Sequence, residues 1–243
     1  MRRSIVVIVL SVMLIGLTAW ITSQEKVGIL DLFTWGDIAK ESRNHIKMVA
    51  LSMLIATAIG VPLGVIITRR VFKRTAPFVI GVVGIGQSVP SLAVIAIMAP
   101  VLGLAFQSAI VALVIYALLP IVRNSYAGVN NISPAVIEAA RGMGMSNWQI
   151  ARKIELPLAR PVVMTGVRIS TIITVGTAEL AVLVGGTGLG VITFTGVVAQ
   201  EPLLILQGAA PTALMAILLG YMLEILELKI TPSGVGAEVR GYG

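Results

Sequence analysis

The sequence predicts an all-α, polytopic membrane protein with about six transmembrane helices and one long cytoplasmic loop. Three observations lead there. Of the 243 residues, 57% are hydrophobic, only 12% are charged, and the charges are clustered. A soluble domain carries about 25% charged residues, and half that density cannot coat a globule of this size. Charge-free runs cover residues 4–21, 48–68, 75–122 and 202–223. A helix needs ~20 apolar residues to cross the hydrocarbon core. The run from 75 is long enough for two crossings with a turn between them.

Six crossings follow in order, near 4–22, 48–68, 76–98, 107–122, 161–184 and 207–226. They must be helices, because backbone groups inside a bilayer have to be paired within the segment. The first resembles a signal peptide in its basic start and apolar stretch. Its apolar part is long for one, and no A-x-A site follows, so it reads as a retained span. Residues 23–47 read as an outer loop, with a short amphipathic helix at the interface where Leu30, Phe33, Trp35 and Ile38 face lipid. Lys and Arg set the orientation. Arg2, Arg3, Arg69, Arg70, Lys73, Arg74, Arg123, Arg141, Arg152, Lys153 and Arg160 share one side, which places both termini in the cytoplasm. The chain is then one transmembrane domain: an N-terminal span and outer loop (1–47), a core (48–228) containing the loop 123–160, and a cytoplasmic tail (229–243).

That loop is the most informative segment. Ser133 suits an N-cap and Pro134 the first helical position. A short helix follows, stopped by Gly142 and Gly144. Ser146 and Gln149 form a capping box for a second helix, expected to end near Glu155 because Pro157 disfavours helix in the residue before it. A helix-turn-helix can bind DNA, but this one is tethered to the bilayer at both ends. The net charge of +7 lies in loops without interleaved aromatics, which argues against nucleic acid as a partner.

Glu138-Ala139-Ala140, three residues, Gly144, nine residues, Ile154, one residue and Leu156-Pro157 resemble the EAA loop of ABC importer permeases at every position. That resemblance implies a coupling helix docked in a groove of an ATPase subunit. Ala139 and Ala140 would allow close approach, Glu138 would pair with a basic group, and Gly144 would make a tight turn with positive φ. The alternative for Ala139, Ala140 and Gly144 is packing within the loop itself. Further segments are similar to osmoprotectant permeases for glycine betaine, carnitine and choline: 86–93, 119–124, 155–158, 176–178 and 185–190. The similarity covers roughly 45–228. It implies ABC ATPase subunits that bind ATP and Mg, an extracytoplasmic substrate-binding protein, and a second permease copy, identical or paralogous. The setting would be the cytoplasmic membrane of a bacterium or archaeon. Alternatives are a permease for another small solute such as an amino acid, an ATP-independent channel or secondary transporter, and a membrane scaffold.

No ATPase site is expected in this chain, since the dipeptide Gly-Lys, needed by a phosphate-cradling loop, is absent. No cofactor or metal is expected either: there are no cysteines and one histidine, His45, which reads as an exposed interfacial residue. The glycines of 186–190 read as flexible backbone at a span end. Gln87, Ser88 and Pro90 interrupt the third span, as pathway candidates or as a kink bonded to a neighbour. Thr177 and Glu179 are the other pathway or gate candidates. Glu179 lies 18 residues beyond Pro161, or ~27 Å along the helix, near the outer end of its span. Arg168, on the same helix, is expected to snorkel to the cytoplasmic surface.

Overall fold

The computed structural model describes residues 2–24, 26–27, 30–31, 33–102 and 105–230, so most of the expected tail lies outside the described residues. Among the described residues ten α-helices carry the fold: α1 (Arg2–Thr22), α2 (Trp35–Ile66), α3 (Ala76–Ser88), α4 (Ser91–Leu102), α5 (Ala105–Asn130), α6 (Pro134–Gly142), α7 (Asn147–Ile150), α8 (Leu156–Ala178), α9 (Gly190–Ala199) and α10 (Pro202–Ile230). Between α1 and α2, Lys26–Val27 pairs antiparallel with Leu30–Asp31.

Among the described residues five helices are long and apolar enough to cross a membrane, and the bent pair of α3 and α4, taken as one span, makes a sixth. The expected third span is therefore broken. Helix α3 stops at Ser88, Val89 is extended, and α4 leaves at 88°. Pro90 supplies the break: it has no N–H to continue the helix and biases the residue before it toward extended backbone.

The second correction is at α2. Residues 35–47 do not form a separate helix in an outer loop; they are the N-terminal part of one continuous helix that runs to Ile66. Thr34 and Asp37 start it with a capping box: the Asp37 N–H donates to Thr34 Oγ1 at 3.2 Å, and the Thr34 N–H donates to Asp37 Oδ2 at 3.0 Å. At 32 residues the helix is ~48 Å long, well beyond the ~30 Å hydrocarbon core.

The third correction is at Pro157. The chain runs as helix from α7 through a π turn, Ala151–Glu155, into α8. Pro157 follows directly on the π turn, whose wider geometry accommodates a residue that has no N–H to donate.

Helix α5 is the centre, packed between α2 and α8, with α10 outside α8 and α1 outside α10. Its core joins Met48, Val49, Met53 and Ala56 of α2 to Ile110, Leu113, Ala117 and Ile121 of α5, and to Val175 and Ala178 of α8. Gly60 and Gly64 let α2 and α5 meet closely: a Cβ on Gly64 would lie 2.5 Å from that of Ser125. Wholly buried Gln207 ties three segments together. Its Nε2 donates to Thr22 Oγ1 and to the Phe33 carbonyl, and its Oε1 accepts from the Phe33 N–H. Arg168 pairs with Glu224 at 3.4 Å and Glu227 at 3.5 Å, in the last two turns of α10, clasping α8 to α10.

Candidate functional site

Two regions concentrate the candidates, at opposite ends of the bundle. The first is the loop between α5 and α8. Glu138, Ala139 and Gly144 are exposed there, Ala140 is buried, Ile154 and Pro157 are half-buried, and Leu156 is exposed. The motif thus divides. Ala140 packs inside the loop, where its carbonyl also accepts the Met145 N–H at 3.1 Å, whereas Glu138 and Ala139 face outward. Glu138 has no ion-pair partner among the described residues. Gly144 has φ +77° and open space beside it, so the expected left-handed turn is present. Ser133 makes no side-chain cap, but Ser146 and Gln149 form the expected capping box. Trp148 is 71% exposed and Met143 72%, and Val136 is exposed as well. The motif reading passed over Trp148, although an aromatic just inside a cap could have flagged it. Arg69, at the end of α2, pairs with Glu155 at 2.6 Å and braces the loop against the bundle.

The second region lies at the far end, where α8 loosens into a 3₁₀ segment, Glu179–Val184. The Glu179 N–H turns to the Gly176 and Thr177 carbonyls. The Val175 carbonyl instead accepts from His45 Nε2 at 2.9 Å. On its other side the ring accepts from the Leu189 N–H at Nδ1, at 3.3 Å. A carbonyl only accepts and an amide N–H only donates, so the ring is neutral with its proton on Nε2. One turn earlier on α2, Glu41 Oε2 accepts the Gly188 N–H at 2.8 Å. His45 is therefore fully buried, not an exposed interfacial residue. The glycine segment is not slack either. Gly188 has φ +121°, and even a Cβ there would come within 3.2 Å of His45 Nδ1. Glu41 and His45, at i and i+4 on one helix face, hold two successive backbone N–H groups just before α9.

Glu179 is at the start of this loosened segment, half-buried, and accepts from Thr193 Oγ1 of α9 at 3.3 Å. Thr177 is less committed: its hydroxyl bonds back to the Ile173 carbonyl. Gln87 has a structural task. Pro120 lacks the N–H that would satisfy the Tyr116 carbonyl within α5, and Gln87 Nε2 donates to that carbonyl at 2.7 Å. The Tyr116 hydroxyl donates in turn to the Val89 carbonyl, which fastens the broken span to α5. Ser88 bonds back to the Gly84 carbonyl at 3.2 Å, and Pro90 is exposed at the break. Gln87 and Glu179 share no hydrogen bond among the described residues, but α4 packs Val94 and Ile95 on Leu180 and Val184, beside Glu179.

Residues 60–232 match the family of binding-protein-dependent transport system inner membrane components. The chain belongs to this family. The permease is 40% identical over 200 residues to the glycine betaine/carnitine/choline transport system permease protein OpuCB of Bacillus subtilis, covering 82% of this chain and 91% of that one. It is 41% identical over 191 residues to the carnitine transport permease protein OpuCB of Listeria monocytogenes, covering 79% and 87%. It is 39% identical over 218 residues to the osmoprotectant import permease protein OsmY of Salmonella typhimurium, covering 85% and 92%. Among solved structures, an inward-facing conformation of the MetNI methionine ABC transporter superposes with a TM-score of 0.71 at 24% identity, covering 82% of this permease and 98% of that chain. That likeness establishes the fold.

Proposed function

We propose that this permease is the membrane-spanning subunit of an importer of quaternary-amine osmoprotectants, driven through alternating access by separate ATPase subunits. The observation that carries the substrate class is the naming of relatives near 40% identity, across some four-fifths of the chain, for betaine, carnitine and choline transport. The ATPase contact rests on the motif spacing and on the exposure of Glu138, Ala139, Met143 and Trp148 around the Gly144 turn. ATP and Mg are bound by the partner, solute arrives on an extracytoplasmic binding protein, and a second permease copy completes the pathway. The loop end faces the cytoplasm, as do both termini.

Uptake of labelled choline and glycine betaine into vesicles holding the whole transporter tests this. Uptake should need ATP and binding protein and should stop with vanadate. Uptake of an amino acid with neither amine would replace the substrate reading, and uptake without ATP would remove the ATPase. A reporter fused at 143–145 should be cytoplasmic and one at 23–24 external; the opposite labelling would reverse the orientation.

Glu179 lies beside the broken span at the binding-protein end and is the pathway carboxylate in this scheme. Glu179→Gln keeps an oxygen to accept from Thr193, so protein yield should hold. Choline uptake should drop several-fold, and betaine uptake less, because the carboxylate of betaine already balances its ammonium. Equal losses for both solutes, tracking a lower yield, would make Glu179 structural.

A further inference from the structure

Lys40, Arg43, Lys47, Ala50 and Leu54 recur every three or four residues along α2, and all five are exposed. They form one stripe, basic in its first half and apolar in its second. Arg43 and Lys47 have no ion-pair partner among the described residues, and Lys40 reaches only Glu41, at 3.8 Å. The depth of the change in character follows from helix pairing. Ile121 lies against Gly60 and Ser125 against Gly64, so α2 and α5 run side by side with a constant offset that carries the start of α5 to the level of Asn44. The charge-free part of α5 begins there. Lys40, Arg43 and Lys47 therefore bracket the boundary of the hydrocarbon, and Ala50 and Leu54 lie inside it.

Beneath the basic half, the stripe forms one wall of a groove between α2, α8 and α10. The groove has a volume of about 460 Å³ and is walled by Ala50, Met53, Leu54, Val167, Leu219 and Met222. Its Thr171 hydroxyl is spent on the Val167 carbonyl. It adjoins a second apolar cleft of about 410 Å³ between α1, α2 and α10, with Ile46, Leu219 and Met222 common to both. A dry, laterally open groove at this depth offers nothing to water and shape to a hydrocarbon chain. The cations at its mouth offer a phosphate its counter-charge.

We infer that this face of α2 holds an anionic phospholipid, its phosphate between Arg43 and Lys47 and an acyl chain in the groove. The leaflet, outer, rests on the orientation proposed above; the binding does not, and its test is independent of sidedness and of solute. The whole transporter is purified in detergent, and native mass spectrometry follows retention of added phosphatidylglycerol and phosphatidylcholine. Phosphatidylglycerol should be retained at least about tenfold better, and Arg43→Ala with Lys47→Ala should remove that preference, as two basic residues near a phosphate account for it. Leu54→Trp, which fills the groove, should exclude both lipids. The melting temperature of each variant without lipid shows whether the fold survives. The inference is overturned if both lipids bind alike in the native transporter, or if the charge-deleted variant keeps its preference. The chain has no cysteine, so Leu54→Cys gives a clean third readout. Disulfide cross-linking of two permease copies through that position would show that a second copy, not lipid, covers the face.

Discussion

His45→Ala should lower the amount of permease in the membrane several-fold, although the residue was expected to be a bystander at the surface. The substitution strips two buried backbone groups of their partners, the Val175 carbonyl and the Leu189 N–H. It also leaves a hole where a wholly buried ring stood. An unsatisfied buried group costs ~1–3 kcal/mol, and the cavity adds to it, so ~3–5 kcal/mol is the expected loss. A change of that size shifts abundance several-fold in cells. His45→Gln, which can donate and accept through one amide, should recover part of the yield. Membrane abundance and the detergent melting temperature read both variants. Wild-type stability of His45→Ala would mean that the α2 grip on residues 188–189 contributes little.

Gly144→Val should reduce ATP-driven uptake by more than about tenfold while the permease stays in the membrane. At φ +77° a β-branched side chain is strained by its own backbone, not by neighbours, since the space beside Gly144 is open. The turn would shift to relieve the strain and swing α6 relative to Trp148. The bundle is braced separately through Arg69 and Glu155, so its fold should persist. Co-purification of the ATPase with the variant, measured beside uptake, separates loss of docking from loss of coupling. Normal uptake with normal association would remove Gly144 from the lever. Gly144→Asn, which tolerates left-handed backbone better, should retain more uptake than the valine variant.

Several features were legible because they are local. The EAA spacing lies within 20 consecutive positions. Gly144 announced its positive φ, and Ser146 with Gln149 announced a cap that depends on four adjacent residues. Pro90 broke its span for a reason carried by one ring. Pro157 misled, because a π turn just before it could take up the conflict and no local rule shows that turn. Gln87 was legible as a polar group needing a partner, but the partner is a carbonyl left free by Pro120 on another helix.

The sequence alone determined that this chain lives in lipid, about how many times it crosses, and to which family it belongs. Each of these depends on composition or on residues close along the chain. Tertiary structure decided the use of Glu41 and His45, whose partners lie 147 and 144 residues away. It also decided the pairing of Arg168 with Glu224 and Glu227, and the extension of α2 back to Trp35. The physical reason is the same in each case. A polar side chain in an apolar segment must find a partner, and only the packing of distant helices determines whether that partner is water, lipid or backbone.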